Sequence, residues 1–306
     1  MCTDVYQRRQ RTDDPTGGRF IMTASDANRT EPGTIYMPTL RNLRFNLDPE
    51  KIATWNKDSI HLSQFMNTLS IFFPVGERFF IDSVRHYRDT VSDSELKKAV
   101  STFIGQEAMH GREHDEYNGA LFERIPATRS MENFVARLLK QVQRLPKSWQ
   151  LSATIALEHF TAILADALLT EPRILEEADV RYSRLWLWHA LEETEHKAVA
   201  YDVWVGVMGK GPYAYVLRTG GLLAASVIFW SIAIPFYLRV IFHEKQLTNI
   251  KGWGKLFQYT FGGIGVLRKL AAPWLDYFRP SFHPWDHDNR ALLAQIDTLE
   301  KEIEAA

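Results

Sequence analysis

Cysteine is almost absent from this chain of 306 residues, with Cys2 its only example. That excludes a disulfide framework and a thiolate metal site, and makes a reducing, cytoplasmic setting the expectation. A charge excess is lacking as well: 36 basic against 37 acidic residues give a formal net charge of −1, so there is no electrostatic case for nucleic acid. No Gly-x-Gly-x-x-Gly, P-loop or Gly-x-Ser-x-Gly occurs, which argues against nucleotide binding and serine hydrolysis. The stretch 1–34 is polar, carries Arg8, Arg9 and Arg11, and has no apolar run. It is expected to be a mobile tail rather than a secretory signal.

What the chain does have is a concentration of metal-ligand chemistry in Trp188-His189-Ala190-Leu191-Glu192-Glu193-Thr194-Glu195-His196. At about 100° per residue, a helix places His189, Glu193 and His196 on one face. Glu193 and His196 have the Glu-x-x-His spacing of dinuclear helix bundles, which need that pair twice, plus one glutamate from each of two further helices. Glu107 and His110 repeat the pair, with His114 one turn later, and Glu77 and Glu158 stand alone in apolar runs. An unpaired carboxylate in such a run is costly to bury without a cation. The candidate ligands are therefore Glu77, Glu107, His110, Glu158, His189, Glu193 and His196. His114, Asp166 and Glu192 are expected to be hydrogen-bond partners of the ligands or additional ligands, while Glu113 and Glu195 are expected to face solvent.

Periodicity predicts an all-α chain, a ferritin-like four-helix bundle with one crossover helix and a C-terminal hydrophobic helical extension. An irregular lead-in fills about 35–60. The first helix, 61–88, restarts at Pro74; a capping box of Ser92 and Glu95 opens the second, which ends near Phe122. An amphipathic helix over 131–145 provides the crossover, in the 51-residue interval between Glu107 and Glu158. Helices three and four are expected over about 148–170 and 179–209. The bundle domain would span 35–210 and the extension 211–306. Within the extension, Thr219–Leu238 is a run of 20 residues without charge, long enough to cross a bilayer; monotopic attachment or a buried interface helix are the alternatives. The end of the chain reads as a helix capped by Asp288, packing through Leu292, Leu293, Ile296 and Leu299. His283 to Asp288 form a Pro-containing loop, read as structure rather than a second metal site. Trp186, Trp188, Phe79, Phe80 and Phe160 read as core, with the lining of an apolar substrate channel as the alternative for some of them.

Phe73 to Phe80, Gln106 to His114, Ala156 to Ala162 and Trp188 to Asp202 together resemble a bacterial family of predicted metal-dependent hydrolases, over about residues 40–290. In ligand pattern alone, the His-x-x-x-Glu-x-x-His set at His189, Glu193 and His196 is similar to that of the di-iron arylamine N-oxygenases. That likeness implies Glu77, Glu107, His110 and Glu158 as the remaining ligands. The expectation is a pair of metal ions, iron before manganese and zinc last. They would activate dioxygen to oxidise an apolar or lipid-like substrate, with a separate electron donor. Alternatives are a hydrolase using a metal-bridged water and a non-enzymatic, membrane-associated metal-binding protein. The expected location is the cytoplasm, attached to or inserted in the inner membrane.

Overall fold

The computed structural model describes residues 35–305, in which apolar residues at three- and four-residue spacing become helices from Ile60 onward. The tail expected over 1–34 lies outside the described residues, among which there is no β-strand. The lead-in has one 3-10 turn, Pro49–Lys51, and is pinned by its buried Leu43, Phe45, Ile52 and Trp55. Helix α1 (Ile60–Ser70) opens on Ser59, whose hydroxyl accepts from the Leu62 amide. Pro74 lies in the first turn of α2 (Phe73–Arg85). The expected restart is found, because proline lacks only an amide hydrogen that the first turn leaves unpaired.

Helix α3 (Ser94–Arg124) is capped by Asp93, not Ser92: the Asp93 carboxylate accepts from the Glu95 and Leu96 amides. A carboxylate at this position also favours the positive end of the helix dipole. Helix α4 (Ala127–Val142) begins earlier than its amphipathic stripe suggests, and α5 (Lys147–Leu169) follows. The fourth expected helix is two: α6 (Val180–His196), capped by Asp179, and α7 (Val199–Met208), separated at Lys197–Ala198. The buried Lys197 ammonium donates to the carbonyl of His287 and to Asn289 Oδ1, both from the far end of the chain. Helices α2 and α3 pack together, α5 packs on α6 and α7, and α2 crosses to α5.

The uncharged run lies in α8 (Pro212–His243), which packs along α5, α1 and α4. Only 17% of its most apolar window is buried, against 72% for α5; Val216, Val227, Ile234 and Phe242 face outward. After it come α9 (Ile250–Thr260), α10 (Val266–Lys269) and α11 (Ala271–Asp276), broken where glycines and Pro273 interrupt the pattern. The final segment starts as a 3-10 turn, Arg290–Gln295, and becomes α12 (Ile296–Glu304) only afterwards. Asp288 receives the Arg290 amide but caps no α-helix. Leu293, Ile296 and Leu299 are buried as expected, and Leu292 partly so.

Helix α8 lies close against α5 at Gly221. A Cβ there would lie 2.2 Å from Ser152 Oγ and 3.1 Å from the Ser152 carbonyl oxygen. Gly221→Ala should therefore lift α8 from α5. The strain outweighs the helix propensity that alanine adds, for a net loss of about 1–2 kcal/mol. Chemical denaturation of the two proteins checks this, and equal midpoints would refute the close crossing.

Candidate metal centre

Four helices each aim carboxylates or imidazoles at one buried region. Helix α2 brings Glu77; α3 brings Glu107 and His110, one turn apart; α5 brings Glu158; α6 brings His189, Glu193 and His196. All seven are buried, between 0% and 4% exposed. Their ligand atoms form three overlapping groups, Glu77 with His110 and His189, Glu107 with His110 and Glu193, and Glu107 with Glu158 and His196, each within 4.8 Å. His196 Nε2 is 3.1 Å from Glu107 Oε1 and 3.6 Å from both Glu158 Oε2 and Glu193 Oε1. His189 Nε2 is 3.1 Å from Glu193 Oε1 and 3.8 Å from Glu77 Oε1. Gly111, next to His110, leaves space for Glu77: a Cβ there would come within 3.2 Å of Oε2.

Each imidazole is oriented from outside. His110 donates through Nε2 to Glu192 Oε2 at 3.1 Å, which leaves Nδ1 facing Glu193. Gln106 gives its amide hydrogens to Glu195 and to the Thr39 carbonyl, so its oxygen must accept from His196 Nδ1 at 3.0 Å. A longer relay fixes His189. Asn118 Nδ2 donates to the Ser70 carbonyl, which turns Asn118 Oδ1 towards the Ser70 hydroxyl. With its hydrogen committed there, Ser70 Oγ accepts from His114 Nδ1 at 2.8 Å. His114 Nε2 then accepts from His189 Nδ1 at 2.7 Å. Neutral His189 is thus left with the lone pair of Nε2 pointing at two carboxylates. Lone pairs facing one another repel, and a cation between them removes the conflict; tautomers set from behind in this way are the usual support of metal-bound histidine.

The unpaired atoms carry the same message. Both oxygens of Glu77, Glu107 and Glu158, together with Glu193 Oε2, His110 Nδ1 and His196 Nε2, are buried without a hydrogen-bond partner. Groups of this kind normally find one. Desolvation, and then repulsion from neighbouring carboxylates, pushes Glu77 and Glu158 well above the ordinary carboxylate range. Glu107 is raised by desolvation, with His196 opposing. Burial would lower His110, but the Glu192 and Glu193 carboxylates beside it push it up to about 10. His196 is raised well above 6.5 against the same burial, by Glu193 and Glu107. Desolvation and the His110 charge pull His189 down to about 4, and desolvation holds His114 low as well.

Several expectations are corrected. Asp166 does not approach the cluster: eight residues beyond Glu158 it is displaced by about 12 Å along the helix. It accepts instead from Asn289 and sits 3.2 Å from His287 Nε2. Glu195 and Glu113 do not face solvent. Glu195, 3% exposed, meets Arg41, Gln106 and the Thr39 amide; Glu113, 2% exposed, meets Arg112 and Arg44. His114 stands behind His189, and Glu192 behind His110. Arg41 lies in the aperiodic lead-in, Ser70 is an ordinary polar residue of the first helix, and Gln106 stands out only as the neighbour of Glu107. Phe73, Phe103 and Trp188 lie 4.6, 4.9 and 4.8 Å, centroid to centroid, from His189, His196 and His110 and close the region to water. His283 pairs with Asp202 at 3.0 Å, well apart from these groups in the contacts it makes.

A family model described as predicted metal-dependent hydrolase matches residues 39–288. No curated protein and no solved structure matches the chain.

Proposed function

The chain belongs to the family of predicted metal-dependent hydrolases, and we propose that its helices form a ferritin-like bundle holding a pair of metal ions for hydrolysis. The observation that carries this reading is the set of buried, partnerless donor atoms on Glu77, Glu107, Glu158, Glu193, His110 and His196. Glu107 and Glu193 lie between the two ends of the cluster and would be shared. Glu77, His110 and His189 would complete one side, Glu158 and His196 the other. Four carboxylates with two oxygens each and three imidazoles can offer up to about 11 donor atoms, more than the roughly eight that two tetrahedral zinc ions use, and suit iron or manganese. When bound, such a pair lowers the pKa of a water and polarises an ester, amide or phosphoryl oxygen. The chain's own contribution is orientation: Glu192, Gln106 and the Ser70–His114 relay hold the rings, and the aromatic shell keeps bulk water out.

A second reading, activation of dioxygen with electrons from a separate donor, is favoured by the four carboxylates and the dry surroundings. One experiment separates the two. Protein freed of metal by a chelator is reloaded with Fe(II), Mn(II) or Zn(II), then assayed for bound metal, for turnover of ester, amide and phosphoester substrates, and for oxygen uptake with a reductant. Hydrolysis requires two ions per chain, with turnover and no uptake of oxygen. Uptake without hydrolysis supports the second reading, and failure to bind any ion sinks both.

Loading should also depend on pH. A group whose folded pKa is raised stabilises the fold fully below its ordinary value and loses that contribution as pH climbs through the raised one. His110, held up to about 10, and His196 must shed these protons to coordinate. The stability gap between loaded and chelated protein should therefore widen from pH 6.5 towards about 9. Lys197, pulled down to about 7 mainly by desolvation, works in the opposite direction in both forms and cancels from the difference. Denaturant midpoints of the two forms across that range provide the check; a gap that narrows contradicts the assignment.

A further inference from the structure

We propose that the cleft between α4, α5 and α8 binds an unbranched aliphatic chain and presents its reactive end to the cluster at Glu77. This names a substrate class for the metal-enzyme reading and rests on it. The cleft has a volume of about 550 Å³ and reaches Glu77, the only carboxylate that lines it among the described residues, where no lysine, arginine or histidine lines it either. Helix α5 lines it from Trp149 to Leu164, which at 1.5 Å per residue is about 22 Å. An elongated apolar trough that reaches one unpaired carboxylate of a metal-binding candidate selects a long, uncharged, flexible ligand over a compact polar one. A charged head group inside would find no counter-charge and would be costly to desolvate.

The route to the cluster is short. Phe73 lines the cleft and also lies 4.6 Å from the His189 ring, centroid to centroid, while Glu77 Oε1 is 3.8 Å from His189 Nε2. Near Trp149 the rim is apolar and exposed, with Tyr213 and Val216 beside it on α8. On the α8 wall, Gly220 lines the cleft, and a Cβ there would have nothing within 4 Å. A larger side chain at 220 can thus occupy the trough without displacing the backbone, unlike one at Gly221.

The test measures binding of the straight-chain primary alcohols from butan-1-ol to dodecan-1-ol to the full-length, metal-loaded protein by calorimetry. Affinity should rise about fourfold for each added methylene until the cleft is full. Gly220→Leu should level off at a shorter chain and bind dodecan-1-ol about tenfold more weakly, with butan-1-ol little changed. Ala153→Leu, on the α5 wall, should do the same and answers for Gly220→Leu should that variant not fold. Wild-type affinity independent of chain length, or both folded variants binding like the wild type, overturns the proposal. Alcohol binding needs no turnover, so a protein that shows the length dependence but hydrolyses nothing keeps the cleft and loses the hydrolase. Turnover of short, water-soluble esters without any length dependence does the reverse. Sedimentation with phosphatidylcholine vesicles identifies the source of the chain: co-sedimentation lost in Val227→Glu draws it from a bilayer, and a protein left in the supernatant draws it from solution.

Discussion

Replacing Glu158 by methionine should abolish tight metal binding and yet make the chelated protein more stable, by about 1–3 kcal/mol. The two effects have one cause. Glu158 is 2% exposed, its two oxygens have no hydrogen-bond partner, and desolvation followed by repulsion from Glu107 and Glu193 raises its pKa well above the usual range. Without a cation, the folded protein buries an unsatisfied carboxyl group in an apolar helix. Methionine matches its length, removes the desolvation penalty and keeps the space filled. His196 retains Glu107 at 3.1 Å and Glu193 at 3.6 Å, so its charge is not left alone. For a domain of this size, each kcal/mol raises the melting temperature by roughly 2–4 °C. Metal affinity should fall by more than the 10- to 100-fold typical of losing an outer hydrogen-bond partner. Thermal denaturation with and without chelator, beside metal analysis, gives both numbers. A chelated variant less stable than the wild type would mean that Glu158 holds the fold together, and the cation would lose its main argument.

The sequence displays this centre better than the frame around it. Glu77, Glu107, Glu158 and Glu193 can be picked out because a carboxylate in an apolar helical run contradicts its surroundings, and the 3.6-residue period says which neighbours share its face. Pro74 marks the start of α2 for an equally local reason. What escapes is fixed by contacts distant in the chain. The break between α6 and α7 coincides with Lys197, whose ammonium is held by His287 and Asn289 some 90 residues later. Glu195, three residues from Glu192 on the same helix, looks solvated until Arg41 arrives from a lead-in that has no period at all. Asp166 shows the converse failure: two turns on from Glu158, it lies about 80° further round the helix and about 12 Å along it, out of reach.

Arg41→Met should cost about 3–5 kcal/mol, more than any single ligand replacement, because it strips the cation from two buried carboxylates at once. Arg41 Nη1 donates to Glu195 Oε2 at 2.9 Å and to Glu192 Oε1 at 3.4 Å, while Nη2 donates to Glu195 Oε1 at 3.3 Å. The burial of all three, at 6%, 3% and 0% exposure, leaves little solvent to screen the charges that remain. Glu195 would keep only the Gln106 amide and the Thr39 backbone; Glu192 would keep only His110. The loss should also reach the centre. If Glu195 moves to find water, Gln106 is released from the orientation in which its oxygen accepts from His196 Nδ1, and metal binding should weaken with stability. The double variant Arg41→Met with Glu195→Met removes both members of the stronger pair, and a cycle of the four proteins should show a favourable coupling of at least about 2 kcal/mol. Urea denaturation of the chelated proteins reads it. If Arg41→Met alone lies within about 0.5 kcal/mol of the wild type, as an exposed pair would, the arginine is not the counter-charge for this layer, and the orientation of His196 must be set by something else.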